Sequence, residues 1–237
     1  MKIFCINLER ASERKNRIEN LWINKLELNI DFWKAYDRRL INKGISEYLY
    51  NREKSKKIFG RFLSNGEIAC VTSYYKLFEH CYKEDLEEFI IMEDDVVPLI
   101  EDKQQMFNSI ENAKKEFPVG MILMHQLAEW QPSDKPSIAE PLEKAKNNIY
   151  YKKSKFSSLC KLSPWGNLMF YITKKAVQTI LNEPKEIWFP ADYFQQYLLC
   201  PKNLVSILNK PICKHDSENL ATYIGNDMRS GNVNFIK

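Results

Sequence analysis

The chain opens on a compact apolar run, KIFCINL at residues 2–8, whose unbroken hydrophobic character predicts a buried strand. Ser12 is placed to cap a helix in which Ile18, Leu21 and Trp22 fall at helical spacing. A second strand is expected over Ile30–Ala35, giving a β-α-β start. The pattern then breaks: residues 38–63 are basic and tyrosine-rich, which reads as a helical or irregular excursion. Ser64-Asn65-Gly66-Glu67 spells a capping box, and the stripe Ile68, Val71, Tyr75, Phe78, Tyr82 predicts a helix over 66–82. The next segment, EFIIMEDDVVP, places four apolar residues, Phe89 to Met92, directly before Glu93, Asp94 and Asp95. Further strands are expected at Val119–Met124, Gly166–Thr173 and Asn203–Leu208, with Thr173 capping a helix that runs to Asn182 ahead of Pro184. Residues 131–155 hold three prolines and many lysines and read as a long surface loop. Residues 211–237 form a polar tail that folds over the site or hangs loose. No internal repeat and no Gly/Ser-rich linker divides the chain, so residues 1–237 are expected to form a single domain. Strands alternating with helices predict an α/β fold around a mixed, mostly parallel central sheet.

Composition adds limits. With 44% hydrophobic and 28% charged residues among 237, the chain has an ordinary globular make-up and can bury a core without disulfides. Its six cysteines (Cys5, Cys70, Cys81, Cys160, Cys200 and Cys213) include no C-x-x-C pair, so they are expected to be reduced thiols of a cytoplasmic protein. The N-terminus does not read as a signal peptide and no run approaches a membrane span, so any membrane contact is expected to be peripheral. A net charge of +4 does not indicate nucleic-acid binding. The charge is uneven, however. Arg38, Arg39, Lys43, Arg52, Lys54, Lys56, Lys57 and Arg61 face only Glu47 and Glu53 in that stretch. Such a run is either a solvated helical face or a cationic lip for an anionic acceptor.

The chemistry concentrates at Glu93-Asp94-Asp95. Side chains alternate along a strand, so Glu93 and Asp95 are expected on one side and Asp94 on the other. Two carboxylates at the end of a core strand suit Mg²⁺ or Mn²⁺, which would bridge the phosphates of a nucleotide-sugar. A surface turn with solvated acids is the plainer reading of the same three residues. Neither a phosphate-binding G-x-x-x-x-G-K-[ST] loop nor a G-x-G-x-x-G fingerprint is present. His80 and His125 read as structural, whereas His215 is the one histidine placed to reach a metal at the strand ends.

The ordered blocks INLERASERKNRI, FWKAYD, NGEIACVTSYYKLFEHC, FIIMEDDV, WGNLMFYITKKAV and FPADYF resemble glycosyltransferase family 25 over residues 1–215. The resemblance implies a GT-A-like nucleotide-sugar-binding fold and an inverting, metal-dependent hexosyltransferase. The donor it implies is a UDP-sugar, UDP-galactose first. The acceptor is an oligosaccharide or lipid-linked glycan of the lipooligosaccharide type. The place is the cytoplasm or the cytoplasmic face of the inner membrane. By the same resemblance Asn7, Leu8, Arg10 and Arg14 bind the donor, with Ser73 and Asp94 as further donor-binding candidates, and Ala35 and Asp37 line the nucleoside. Glu93 and Asp95 bind the metal. Trp165, Gly166 and Asn167 lie near the acceptor, and Asp192 is the carboxylate placed to act as base. Plainer readings stand beside these: Arg10 and Arg14 on a solvated turn, Asp192 as a helix cap, Trp165 as a packed aromatic. Two departures matter. Tyr74 stands where relatives carry histidine, leaving Ser73 as the polar contact of that block, and Leu168-Met169 replaces smaller residues. A metal-dependent sugar nucleotidyltransferase and a non-catalytic carbohydrate-binding protein of the same fold are the rival readings.

Overall fold

The computed structural model describes residues 1–42, 48–116, 120–125, 137–144, 146, 148–158, 166–184 and 186–216. In chain order its strands are β1 (Lys2–Asn7), β2 (Asp31–Lys34), β3 (Leu49–Tyr50), β4 (Glu88–Glu93), β5 (Val96–Pro98) and β6 (Met121–Leu123). They continue with β7 (Ser137–Lys144), β8 (Asn148–Ser158), β9 (Met169–Thr173), β10 (Glu186–Ile187), β11 (Val205–Leu208) and β12 (Cys213–His215). The helices are α1 (Ser12–Ile18), α2 (Arg38–Asn42), α3 (Arg52–Phe59), α4 (Asn65–Lys83), α5 (Lys103–Glu116) and α6 (Lys174–Leu181).

Eight strands form one sheet in the order β2-β1-β4-β9-β6-β11-β8-β7. The pairings β2-β1-β4 and β6-β11 are parallel, while β9 and β8 run against their neighbours. Six of the eight strands therefore point one way, the mixed, mostly parallel α/β arrangement expected from the alternation.

The apolar runs are continuous because the central strands are covered on both faces. Phe4, Phe89 and Ile91 pack into one core with α4 and α6, through Val71, Phe78, Val177 and Ile180. Ile3, Cys5, Ile90 and Met92 pack into the other core with Ile18, Trp22, Met106 and Ile110.

The capping box forms as the sequence predicts. Ser64 Oγ accepts from the Glu67 N–H at 3.2 Å, and Glu67 Oε2 accepts from the Ser64 N–H at 2.9 Å. Thr173 Oγ1 likewise accepts from the Ala176 N–H at the start of α6. Ser12 does not cap α1. It is the first helical residue, Ala11 precedes it, and no side chain caps that end. The helix continues as a π-helical turn, Glu19–Asn24, that buries Trp22 with its Nε1 donating to the Val96 carbonyl at 3.0 Å.

The described part of residues 38–63 holds the helices α2 and α3 as expected, with the short β3 between them pairing in parallel with β10; residues 43–47 lie outside the described residues. The surface loop expected at 131–155 is corrected: β7 and β8 pair antiparallel across most of it and extend the sheet beyond β11. Proline misled that reading. Pro141 sits in β7, the last strand of the sheet, beside a register shift, and an edge strand tolerates a missing N–H. The start of the polar tail is also ordered. β12 pairs antiparallel with β5, and the Asp216 N–H donates to the Asp95 carbonyl at 2.8 Å. Residues 217–237 lie outside the described residues.

Candidate active site

Strands β2, β1 and β4 run in parallel, so their carboxyl ends open on one edge of the sheet, where ligand crevices of α/β folds sit. A cleft of about 730 Å³, open to solvent, lies there. Ile6 and Leu8 from the end of β1, Ala35 and Tyr36 after β2, and Glu93, Asp94 and Asp95 after β4 form its strand-end walls. Gly66, Ala69, Cys70, Ser73 and Tyr74 from α4 close one side, and Arg10, Arg14 and Arg38 supply positive charge. Leu8, Arg10, Arg14, Ala35, Ser73, Glu93, Asp94 and Asp95 were all legible in the sequence as site candidates, and one cleft gathers them.

All three acids line that cleft, so the expected split of Asp94 to the opposite side is corrected. Strand β4 ends at Glu93, and the turn that follows no longer obeys strand alternation. Arg14 Nη1 donates to Asp94 Oδ1 at 2.6 Å and to Asp95 Oδ2 at 3.2 Å. Asn7 Nδ2 donates to Asp94 Oδ2 at 2.8 Å. Asp94 therefore has both oxygens engaged, and Asn7 supports it from behind the cleft wall. Arg14 is buried, so it is a structural counter-ion for the acids rather than a solvated residue of a helix turn.

Electrostatics separates the three carboxyls. Burial pushes Glu93 well above the usual carboxylate range, and the charges of Asp95 and Asp192 push it further. Burial also raises Asp94, with Arg14 pulling the other way. Burial opposes the charge on Asp95 too, but the bonds from His215 and Arg14 outweigh it and hold Asp95 below its ordinary value. His215 Nε2 lies 3.5 Å from Asp95 Oδ2. The bond to Asp95 raises the imidazole, against partial burial. The tail thus brings His215 to the expected place at the strand ends, beside Asp95.

Ser73 is pinned inside the protein. Its Oγ accepts from the Tyr36 N–H at 2.7 Å and donates to the Ala69 carbonyl at 2.8 Å, so it fixes the backbone after β2. Asp37 is not part of the cleft wall. Its carboxylate accepts from Arg10 Nε at 3.1 Å and from Arg39 Nε at 2.9 Å. Against some burial, the Arg39 and Arg10 contacts hold it down at about 2. Asp37 therefore aims Arg10, which does line the cleft.

Asp192 lies outside the cleft lining, exposed on a short 3-10 turn, Ala191–Tyr193; the helical turn Gln195–Leu199 that follows has no side-chain cap. The turn is tied to the cleft through the backbone before β9. Asn167 Nδ2 donates to the Ala191 carbonyl at 2.5 Å, and Gln195 Nε2 donates to the carbonyls of Asp192 at 2.8 Å and Gly166 at 3.2 Å. Gly166 holds φ +79, and a Cβ there would meet His125 Nε2 at 3.2 Å. Trp165 lies outside the described residues. His80 is structural, stacked on Trp33 with ring centroids 5.0 Å apart.

Tyr36, Cys70 and Tyr74 are cleft residues that pattern reasoning did not assign. Tyr74 occupied the position where histidine was expected, and its hydroxyl lies 2.7 Å from Glu93 Oε1. Among the described residues no three His, Cys, Asp or Glu side chains form a ready-made metal cage. Asp95 Oδ1, however, is buried with no hydrogen-bond partner, in the same cleft as Glu93. Two carboxylates with phosphate oxygens completing the shell is how Mg²⁺ is commonly held. The residues present fit such a site.

The chain is similar to proteins of one family. It is 26% identical over 239 residues to the lipooligosaccharide biosynthesis protein lex-1 of Haemophilus influenzae, matching 88% of this chain and 74% of that protein. A glycosyltransferase 25 family member of Drosophila pseudoobscura pseudoobscura is 31% identical over 97 residues. That match covers 40% of this chain and only 15% of the insect protein's length. A probable inactive family member 3 of Rattus norvegicus is 30% identical over 103 residues, covering 40% of this chain and 17% of that protein. Among solved structures, a glycosyltransferase involved in glycosylation of the PBCV-1 major capsid aligns at TM-score 0.44 and 10% identity over 92% of this chain and 93% of that one. An apo UDP-glucose pyrophosphorylase aligns at TM-score 0.43 and 9% identity over 90% and 91%. The model of glycosyltransferase family 25 (LPS biosynthesis protein) matches residues 1–195, and the chain belongs to that family.

Proposed function

We propose that this chain is a glycosyltransferase that moves a hexose, galactose first, from a UDP-sugar to a lipooligosaccharide-type glycan with inversion at the anomeric carbon. One observation carries the reading. A buried carboxylate oxygen without a partner, Asp95 Oδ1, stands beside Glu93 in a cleft at the carboxyl edge of three parallel strands. Family membership supports transfer chemistry, and the role in lipooligosaccharide biosynthesis named for the Haemophilus relative supports a lipooligosaccharide acceptor.

Asp95 and Glu93 would hold Mn²⁺ or Mg²⁺, which when bound neutralises charge on the departing nucleoside diphosphate. Arg14 keeps Asp94 and Asp95 together, and Arg10, aimed by Asp37, brings positive charge to the cleft. Ala35 and Tyr36 supply an apolar wall for the nucleoside. Asp192 is the proposed base that accepts the proton of the attacking acceptor hydroxyl. The basic α2–α3 region adjoins this cleft through Arg38 and suits an anionic, lipid-linked acceptor presented at the cytoplasmic face of the inner membrane. Among the described residues no helix is long and apolar enough to cross a membrane.

The test is a panel of nucleotide-sugars with Mn²⁺, scored for transfer and donor hydrolysis. UDP-galactose is expected to lead, and Asp95→Asn to lower turnover about 100-fold or more. GDP-mannose turned over equally well would sink the donor assignment. UDP binding in calorimetry that ignores a chelator would sink the metal assignment. A protein that binds glycan but turns over no donor belongs with the family members named as inactive.

A further inference from the structure

The acidic strand end and the proposed base sit on separate parts of the chain, and a hydrogen-bonded path joins them. On α4 the Tyr74 hydroxyl lies 2.7 Å from Glu93 Oε1 and 3.2 Å from the Asn167 backbone carbonyl, within bonding reach of both. Asn167 then reaches forward through Nδ2 to the Ala191 carbonyl at 2.5 Å. Gln195 closes the path, donating from one amide nitrogen to the carbonyls on either side, Asp192 at 2.8 Å and Gly166 at 3.2 Å. Asn167 and Gln195 are buried, at 1% and 0% exposure, so water cannot replace these bonds cheaply. Asp192, by contrast, is exposed at its side chain, and its position is set by its backbone.

The Tyr74 ring is itself fixed. It packs against Phe78, Phe170 and Phe194 with centroids 6.1, 6.0 and 5.7 Å away, which leaves the hydroxyl little freedom. Phe194 follows the Asp192 turn directly, so the ring and the hydroxyl constrain the same segment by separate means. A histidine at this position would be shorter than tyrosine and could not span Glu93 and Asn167 in the same way.

We propose that Tyr74 and Gln195 are positioning residues that hold the Asp192 turn at a set distance from the Glu93–Asp95 cluster. They act through the Asn167 backbone and side chain. Asp192 already influences Glu93 electrostatically, since its charge is among those that raise the buried carboxyl after burial itself and Asp95. The assignment of Asp192 as base rests on the proposed transferase reading. The clamp on its turn does not.

The experiment uses the full chain and two variants, Tyr74→Phe and Gln195→Met, each removing bonds while keeping bulk. Hydrogen exchange is read first. The amides of residues 191–196 are expected to exchange at least about 10-fold faster in both variants, with α1 and β1 unchanged. Steady-state transfer with UDP-galactose is read second. The expected result is a kcat loss of about 10-fold or more in both variants, donor KM and UDP affinity within about twofold in Gln195→Met, and no further kcat loss in the double variant. Unchanged exchange in the turn would overturn the clamp. A loss seen only in donor KM of Gln195→Met, or kcat losses that multiply in the double variant, would overturn the positioning role. A wild-type chain that transfers nothing would refute the transferase reading, while the exchange comparison still decides the clamp.

Discussion

Replacing Arg14 by methionine tests whether the acidic cluster is held together by one guanidinium. Arg14 Nη1 bonds Asp94 Oδ1 at 2.6 Å and Asp95 Oδ2 at 3.2 Å, and all three side chains are at most 16% exposed. Methionine fills much of the volume but leaves Asp94 with Asn7 and Asp95 with His215 in place of a shared guanidinium. Removing one partner of a buried pair costs about 3–5 kcal/mol, because the remaining charge is uncompensated. For a chain of this size about 4 kcal/mol corresponds to a melting temperature lower by roughly 8–16 °C. The pH dependence gives the sharper test. In the native protein Asp95 is held below its ordinary value, so its contribution is present above about pH 4 and fades as pH falls through the folded value. Without Arg14, Asp94, already raised by burial, rises further, and Asp95 keeps only His215 to oppose burial and its acidic neighbours, so it rises as well. A raised carboxyl costs stability above the unfolded pKa, and that cost disappears as it protonates. The gap between native protein and variant should therefore be widest near pH 7 and narrow toward pH 4. Urea unfolding across that range measures it. Adding Asp94→Asn to the variant should restore part of the loss by removing one stranded charge. A loss under about 1 kcal/mol at pH 7, or a gap that does not change with pH, would refute the account.

Three further outcomes follow from the same geometry. Ser64→Ala breaks the capping box at the start of α4 and should cost about 1–2 kcal/mol in thermal unfolding, with Ser64→Gly milder. Gly166→Ala should cost about 1–2 kcal/mol in urea titration, because φ is +79 and the new Cβ meets the His125 ring; an unaffected variant would show that the turn relaxes freely. Asp37 is held at about 2, so its contribution is present above the ordinary value of 3.8 and lost as pH falls toward 2. Because Arg39 is largely solvent-exposed, screening limits that contribution to roughly 1 kcal/mol, and Asp37→Asn should lose it at pH 7 but not at pH 2.

Much of this was legible in the chain. The buried strands, the box at Ser64 and Glu67, and the acids at the end of β4 each follow from local rules that tertiary packing did not override. What failed did so for physical reasons. Pro141 and the lysines around it suggested a loop, because composition cannot show that a strand lies at a sheet edge where proline is tolerated. Ser12 looked like a cap, but a cap is defined by one residue's backbone angles, and the helix began one position earlier than the serine required. Asn7 and Asp37 belong to the site but stand behind its wall, a distinction set by contacts 87 and 27 residues apart in sequence.

The acidic triplet shows why the last step needed three dimensions. Alternation separates Glu93 from Asp94 only while the strand lasts, and the strand ends at Glu93. Past that point the backbone turns, and Arg14, from the helix that follows β1, draws Asp94 and Asp95 to one side. The three carboxyls then differ by partner, not by chemistry. Asp94 is engaged by Arg14 and Asn7, Glu93 is half-buried against Tyr74, and Asp95 Oδ1 is left buried without a hydrogen bond. A run of three acids thus meets three different environments. On the proposed reading a cation and a diphosphate would meet at Asp95, because one of its carboxylate oxygens is buried in the cleft wall without a partner of its own.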